Sequence, residues 1–159
     1  MIETQSILTL SSAKDLSSIH KYRVVVLDGD RGPLNPKQEQ ALCTFVERGG
    51  GLILLGDAVE AYREYDQLGE VLGRVHGICT PHSEIIAHVA TPHHYITRRV
   101  DSSFAVTEVV YLLRVVPSDA QVLWQTSWHY VPHTLAYTRQ YGRGRVFCTQ
   151  ISRGHPQRR

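Results

Sequence analysis

Two apolar runs constrain this chain more than any other feature: Val24–Leu27, inside Tyr22-Arg-Val-Val-Val-Leu-Asp28, and Leu52-Ile-Leu-Leu55. Neither alternates apolar with polar residues, so each suits a strand covered on both faces in a parallel sheet. Parallel neighbours need a crossover, and the sequence between the runs supplies one. Asn35 is a capping residue, Pro36 fits the first helical position, and Ala41, Leu42, Phe45 and Val46 recur at helical spacing until Gly49-Gly-Gly51 ends the helix. This strand–helix–strand unit of about thirty residues predicts a right-handed crossover within an α/β sheet.

The flanking sequence extends that sheet. Upstream, Ser6–Leu10 reads as a short strand and Ala13 to Ile19 as a brief helix or turn. Downstream, Glu60 to Leu72 predicts one short helix, followed by β-type segments at Glu84–Val89, Phe104–Val116 and Gln121–Thr126. The last block, Leu135–Thr149, predicts a hairpin turning around Gly142 and Gly144, at least one of them at positive φ. The first half is α/β and the second mainly β. No repeat or linker divides the chain, so one domain over residues 1–159 is expected, with a flexible tail from about residue 150.

Composition narrows the function classes. At 42% hydrophobic over 159 residues the chain can bury a single core. No apolar run approaches the ~20 residues of a membrane span, and Met1–Gln5 lacks the features of a signal peptide, so a cytoplasmic address and no membrane partner are expected. Cys43, Cys79 and Cys148 form no CxxC pair, which argues for reduced thiols, mostly buried, with Cys79 in Gly77–Pro81 the most exposed. Net charge is +2, yet residues 120–159 hold six arginines and no carboxylate, whereas residues 1–119 carry eleven basic and fifteen acidic side chains. An arginine-dependent nucleic-acid binder is therefore one alternative. A solvated hairpin surface is the simpler account, and no nucleic-acid partner is expected.

Phe45-Val-Glu-Arg-Gly-Gly-Gly51, Tyr65–Gly69 with Gly73 and His76, His94-Tyr-Ile-Thr97, Val106–Tyr111 and Ala136–Phe147 are ordered blocks within a stretch from about Leu8 to Thr149. Together they resemble the trehalose-utilisation (ThuA-like) family, whose domains are similar to class I glutamine amidotransferases. His94–Thr97 is similar to the family's His-Pro-Ile-Thr, with Tyr95 in place of proline. Glu108 matches the first residue of a usual Asp-Glu pair, and Val109 replaces the second. The resemblance implies a flavodoxin-like sheet flanked by helices with a β-rich C-terminal half, truncated at both ends relative to the family. Under that expectation the absent first strand would be central, leaving a rearranged pairing or an edge that another chain completes. A homo-oligomer, or a partner chain completing the sheet, follows.

Activity does not carry over with the fold. An amidotransferase needs a nucleophile after the strand Leu52–Leu55, and this chain reads Gly56-Asp57-Ala58-Val59 there. The resemblance thus implies a binding or assembly module related to sugar-utilisation proteins, without amidotransferase activity. The alternative is a carbohydrate-processing enzyme using carboxylates and a divalent metal. Asp28, Asp30, Asp57 and His76 are the candidate ligand-binding residues, because strand ends in α/β sheets gather ligands at their carboxyl edge. Asp57, His76 and Glu108 are the catalytic candidates. No metal or other cofactor is expected, and those same three residues would be the ligands if one bound; His93 and His94 would point to opposite faces of a strand. A sugar-related small molecule is the expected ligand class.

Overall fold

The computed structural model describes residues 7–9, 13–29 and 32–152. Among the described residues ten strands form one mixed sheet. β1 (Ile7–Thr9), β2 (Val24–Asp28), β3 (Gly51–Leu55) and β10 (Gly144–Thr149) are parallel neighbours in that spatial order. β9 (Val131–Tyr141) then pairs antiparallel with β10, β8 (Gln121–Trp128) with β9, β5 (Ser83–Val89) with β8, and β6 (Ser103–Glu108) with β5. β4 (His76–Cys79) pairs with β7 (Tyr111–Val115), which touches β9 at Leu113↔Thr134.

The predicted crossover helix is α1 (Pro36–Glu47). Its capping box is complete: the Asn35 side chain accepts from Gln38 N–H, and the Gln38 side chain accepts from Asn35 N–H. Beyond it the glycine run is fixed by contact as well as by φ. A Cβ on Gly50 would lie 2.3 Å from the Phe45 ring, so the helix end and the next strand approach only through that glycine.

Two predicted elements divide. Glu60 to Leu72 is not one helix but α2 (Ala58–Tyr62) and α3 (Asp66–Leu72). Between them Tyr65 is extended, and its hydroxyl accepts from Leu34 N–H at 2.9 Å. The new helix starts on a carboxylate from elsewhere: Glu39 of α1 accepts from Gln67 N–H (2.7 Å) and Leu68 N–H (2.9 Å). Phe104–Val116 likewise becomes β6 and β7, because Val110 exchanges hydrogen bonds with Thr80 at the point where pairing passes from β5 to β4. The Ala13–Ile19 segment is a 3₁₀ segment, Ala13–Lys21, interrupted at Ser18.

Alternation along the parallel strands builds the main core. Val25, Leu27, Leu52, Leu54, Val146 and Cys148 share one face and one cluster with Leu16 and Ile19, with Leu42 and Val46 of α1, Val59 and Tyr62 of α2, and Leu68 and Leu72 of α3. A second cluster, with Ile85, Ala87, Val110, Leu112 and Leu135, lies under the antiparallel half. The expected cover on both faces of β2 and β3 is complete on one: Val25, Leu27, Leu52 and Leu54 are buried in the cluster that all the described helices feed, whereas on the other face Val26 is buried but Val24, Ile53 and Leu55 are only half-buried. β1 lies directly against β2, with Ile7 opposite Val24.

Candidate functional site

Register brings three strand ends together. Asp28 of β2 is opposite Leu55 of β3, and Leu55 is opposite Thr149 of β10, so the chain leaves all three strands along one carboxyl edge. After β2 it turns at Gly29 (φ +75), whose N–H donates to Leu55 C=O at 3.1 Å. After β3 it turns at Gly56 (φ +62) straight into α2. A Cβ on Gly29 would stand 3.0 Å from Asp57 Oδ1, and one on Gly56 would stand 3.2 Å from Ser152 Cβ. Glycine at both turns is what allows Asp57 and Ser152 to close in.

Glu108, at the end of β6, joins this edge through Ser152, accepting from its N–H at 3.3 Å and from its hydroxyl. Asp57 heads α2 without a side-chain capping bond, and its carboxylate is exposed. Asp28 is half-buried opposite Leu55, two residues before Asp57. Behind these groups Gln150 is 1% exposed, with its N–H donating to Leu135 C=O and neither carboxamide atom bonded to another group. The edge therefore presents acceptor-rich carboxylates over a polar floor.

His76 is not part of this cluster. It lies at the far end of α2, where its Nδ1 is 3.4 Å from Arg63 Nη1, while the Arg63 guanidinium sits over the Tyr111 ring at 5.5 Å. Asp57 and Arg63 bracket α2, roughly 9 Å apart along its axis at helical rise. Asp30 lies outside the described residues, as does the tail beyond Ser152; Gln150 and Ser152, at the start of that tail, are held by the hydrogen bonds just given. Among the described residues no three His, Cys, Asp or Glu side chains gather as a metal site. His94 and His133 each engage local backbone through Nδ1, with Ile96 N–H and Val131 C=O respectively.

The cysteines divide as their sequence context suggests. Cys43 and Cys148 are buried, and burial foremost pushes each thiol up to about 12, helped at Cys43 by Glu39 and Glu47. Cys79 is exposed, but its thiol donates to Glu60 at 3.3 Å. Partial burial and the Glu60 carboxylate raise its pKa, with Arg63 opposing, so it is held as a thiol rather than an activated nucleophile. The Glu60–Cys79 contact and the Ser152 clamp on Glu108 had no sequence signal, because each joins residues from different elements.

The family's sequence profile, described as ThuA, trehalose utilisation, matches residues 3–158. The chain belongs to the ThuA family. Solved structures agree in fold: a ThuA-like protein from Bacteroides uniformis is 16% identical with a TM-score of 0.71, over 88% of this chain and 64% of that one. A cytoplasmic protein from Salmonella typhimurium LT2 is 19% identical with a TM-score of 0.67, over 94% and 68%. A β-galactosidase from Bacillus circulans sp. alkalophilus matches at 16% identity and a TM-score of 0.56, over 84% of this chain and 20% of that one. No curated protein sequence matches. The ThuA chain thus spans 64% of the first of these structures, and no described helix is long and apolar enough to cross a membrane.

Proposed function

We propose that this ThuA chain is a sugar-binding module without glutaminase activity, taking its ligand at the carboxyl edge formed by Asp28, Asp57, Glu108 and Ser152. One observation carries the reading. Gly56 occupies the sharp strand-to-helix turn at φ +62, the geometry of a nucleophile elbow, with Ser152 packed against its α-carbon. On this reading the turn keeps the backbone form of an amidotransferase-like elbow and lacks the attacking side chain, which supports the absence of glutaminase activity. Carboxylates that remain accept hydrogen bonds from vicinal hydroxyls, which suits a sugar. Family membership supports the ligand class, and the β-galactosidase match, covering a fifth of that chain, supports a module that serves within a larger assembly.

A carbohydrate-processing enzyme is the second reading, favoured by the exposed Asp57 carboxylate lacking a capping bond. Nucleic-acid binding is weakened, since Arg139 of the basic segment is engaged by Asp119 at 2.9 Å and by the Glu70 and Val71 carbonyls. Calorimetric titration with trehalose and glucose is expected to show saturable binding that Asp57→Asn weakens at least about ten-fold. Turnover of either sugar that Asp57→Asn abolishes would move the assignment to the enzyme. Ammonia released from glutamine, and lost on Cys79→Ala, would overturn the absence of glutaminase activity.

A further inference from the structure

The motif His94-Tyr-Ile-Thr97 is not used by the carboxyl edge, and the side chains around it form a recess of their own. About 300 Å³ in volume, it is lined by His94, Tyr95, Gln121, Thr138, Gln140 and Arg145, closed at one side by the Arg139–Asp119 ion pair. It sits at the opposite edge of the sheet, where β10 begins: Arg145 is opposite Gly51, the first residue of β3, and Thr149 is opposite Leu55, the last.

Each wall is pre-ordered. Thr91 Oγ1 donates to Val122 C=O at 2.7 Å, and the buried Thr97 closes the loop by donating its hydroxyl to Thr91 C=O. His94 C=O accepts from Thr97 N–H at 3.0 Å, so residues 94–97 form a β-turn with Tyr95 in its second position. Ile96 N–H donates to His94 Nδ1 at 3.2 Å, which assigns the ring proton to Nε2 and leaves that nitrogen a donor. Tyr95, 58% exposed, lies on the His94 ring with centroids 4.3 Å apart. The facing wall is a patch of one sheet face. Gln140 is opposite Arg145, and Thr138 is opposite Gln121. Gln140 spends its amide N–H on Gly142 C=O and Thr138 its hydroxyl proton on Val146 C=O, so both retain acceptor lone pairs. Arg145 is exposed and enters no ion pair among the described residues, giving the recess one uncompensated positive charge.

We propose that this recess binds a pyranose ring carrying an anionic substituent, with the C–H face of the ring on Tyr95, its hydroxyls on Gln121, Thr138, Gln140 and His94, and the acidic group on Arg145. The volume is at the small end of ligand sites and holds about one ring. One aromatic plate facing donors and acceptors matches a body with one apolar face and a hydroxylated rim. An added peptide strand is excluded, because β9 and β10 are paired on both edges here. Guanidinium pairs with carboxylate or phosphate alike, so a uronic acid and a sugar phosphate share the required chemistry.

The distinction from the carboxyl edge is sharp in experiment. Amide-detected NMR titration would use glucose, glucuronate and glucose 6-phosphate as probes. Shifts are expected at His94–Thr97, Gln121, Gln140 and Arg145, with the acidic sugars binding about five-fold tighter than glucose and losing that margin at high salt. The two acidic probes separate a uronate from a phosphate preference. Arg145→Gln should bring acidic sugars to the level of glucose. Tyr95→Pro should cut all affinities at least about ten-fold, and the fold survives it because proline suits this turn position and no backbone bond from Tyr95 N–H is lost. Binding unchanged in Tyr95→Pro overturns the proposal, as does equal affinity for glucose and the acidic sugars or no shift at any of these residues. Shifts confined to the Gly56–Ser152 region, removed by Asp57→Asn, would overturn it while supporting the carboxyl-edge reading.

Discussion

Glu39 is 8% exposed on α1, and it does for α3 what no residue of α3 does for itself. Its carboxylate takes two first-turn N–H groups of a helix that begins at Tyr65 without a capping side chain. Charge-assisted bonds to a helix N-terminus, made out of water, are the stronger kind. Glu39→Ala is expected to lower unfolding free energy by about 2 kcal/mol, and Glu39→Gln by about half of that, because one acceptor oxygen remains without the charge. Urea titration measures both, and an unchanged midpoint for Glu39→Ala would rule out the role. Nothing in the spacing of Glu39 announces a partner 28 residues away, whereas Asn35, directly before Pro36, was readable as a cap. Cys148 gives the pH prediction. Burial lifts its thiol from 9.0 to about 12, so between those values the unfolded chain has lost a proton that the native chain keeps. Stability is unaffected by this group below pH 9.0 and falls as pH rises from there to about 12, by roughly 1.4 kcal/mol per pH unit. Cys148→Ala should reduce that alkaline slope by about one proton, read from denaturation curves across the range; an identical slope would exclude the buried thiol as its source.

The terminal hairpin shows how much of an element sequence can specify. Tyr141 pairs with Gly144, leaving Gly142 and Arg143 as a two-residue loop with positive φ at its first residue only, the sign pattern of a type II′ turn. Gly142 is thus the positive-φ residue that the sequence called for, and Gly144 is glycine for a different reason: a Cβ there would come within 2.0 Å of Val46 C=O. At Gly142 the two penalties combine, φ +56 and a Cβ 2.7 Å from Glu47 C=O, because the hairpin tip docks on the end of α1. Gly142→Ala is expected to cost about 1–3 kcal/mol, measured as a fall in chemical denaturation midpoint, and a neutral substitution would mean that the tip is free of α1. Elements with local signals, β2, α1, β3 and this hairpin, were legible because turns, caps and apolar periods are written in adjacent residues. β4 was not, since His76-Gly-Ile-Cys79 is short and mostly exposed, and it becomes a strand only because β7 lies beside it. The same holds for the break between α2 and α3, which depends on Glu39 and Leu34 reaching in from elsewhere.

At the scale of the molecule, the carboxyl edge was legible where it depends on strand order and illegible where it depends on side-chain reach. Asp28 and Asp57 follow from two strands lying side by side, as a parallel crossover requires. His76 does not join them, because α2 stands between and gives it Arg63 as a neighbour. A single chain covers β2 and β3 fully on the helix side only, with Val24, Ile53 and Leu55 half-buried on the other, so cover alone does not decide oligomerisation. The free edge of β1 carries it in our proposal: β1 ends the parallel side of the sheet, pairs only with β2 among the described residues, and leaves Ile7 59% exposed. Parallel edges are ordinarily covered, and an apolar one invites strand pairing with another copy, for which two-fold symmetry gives a closed arrangement. Sedimentation velocity at micromolar concentration is expected to show a dimer, and Ile7→Lys to shift it toward monomer, since a lysine at a strand edge opposes pairing without entering the core. A wild-type monomer throughout that range would dismiss self-association, and a dimer indifferent to Ile7→Lys would dismiss this edge as its interface.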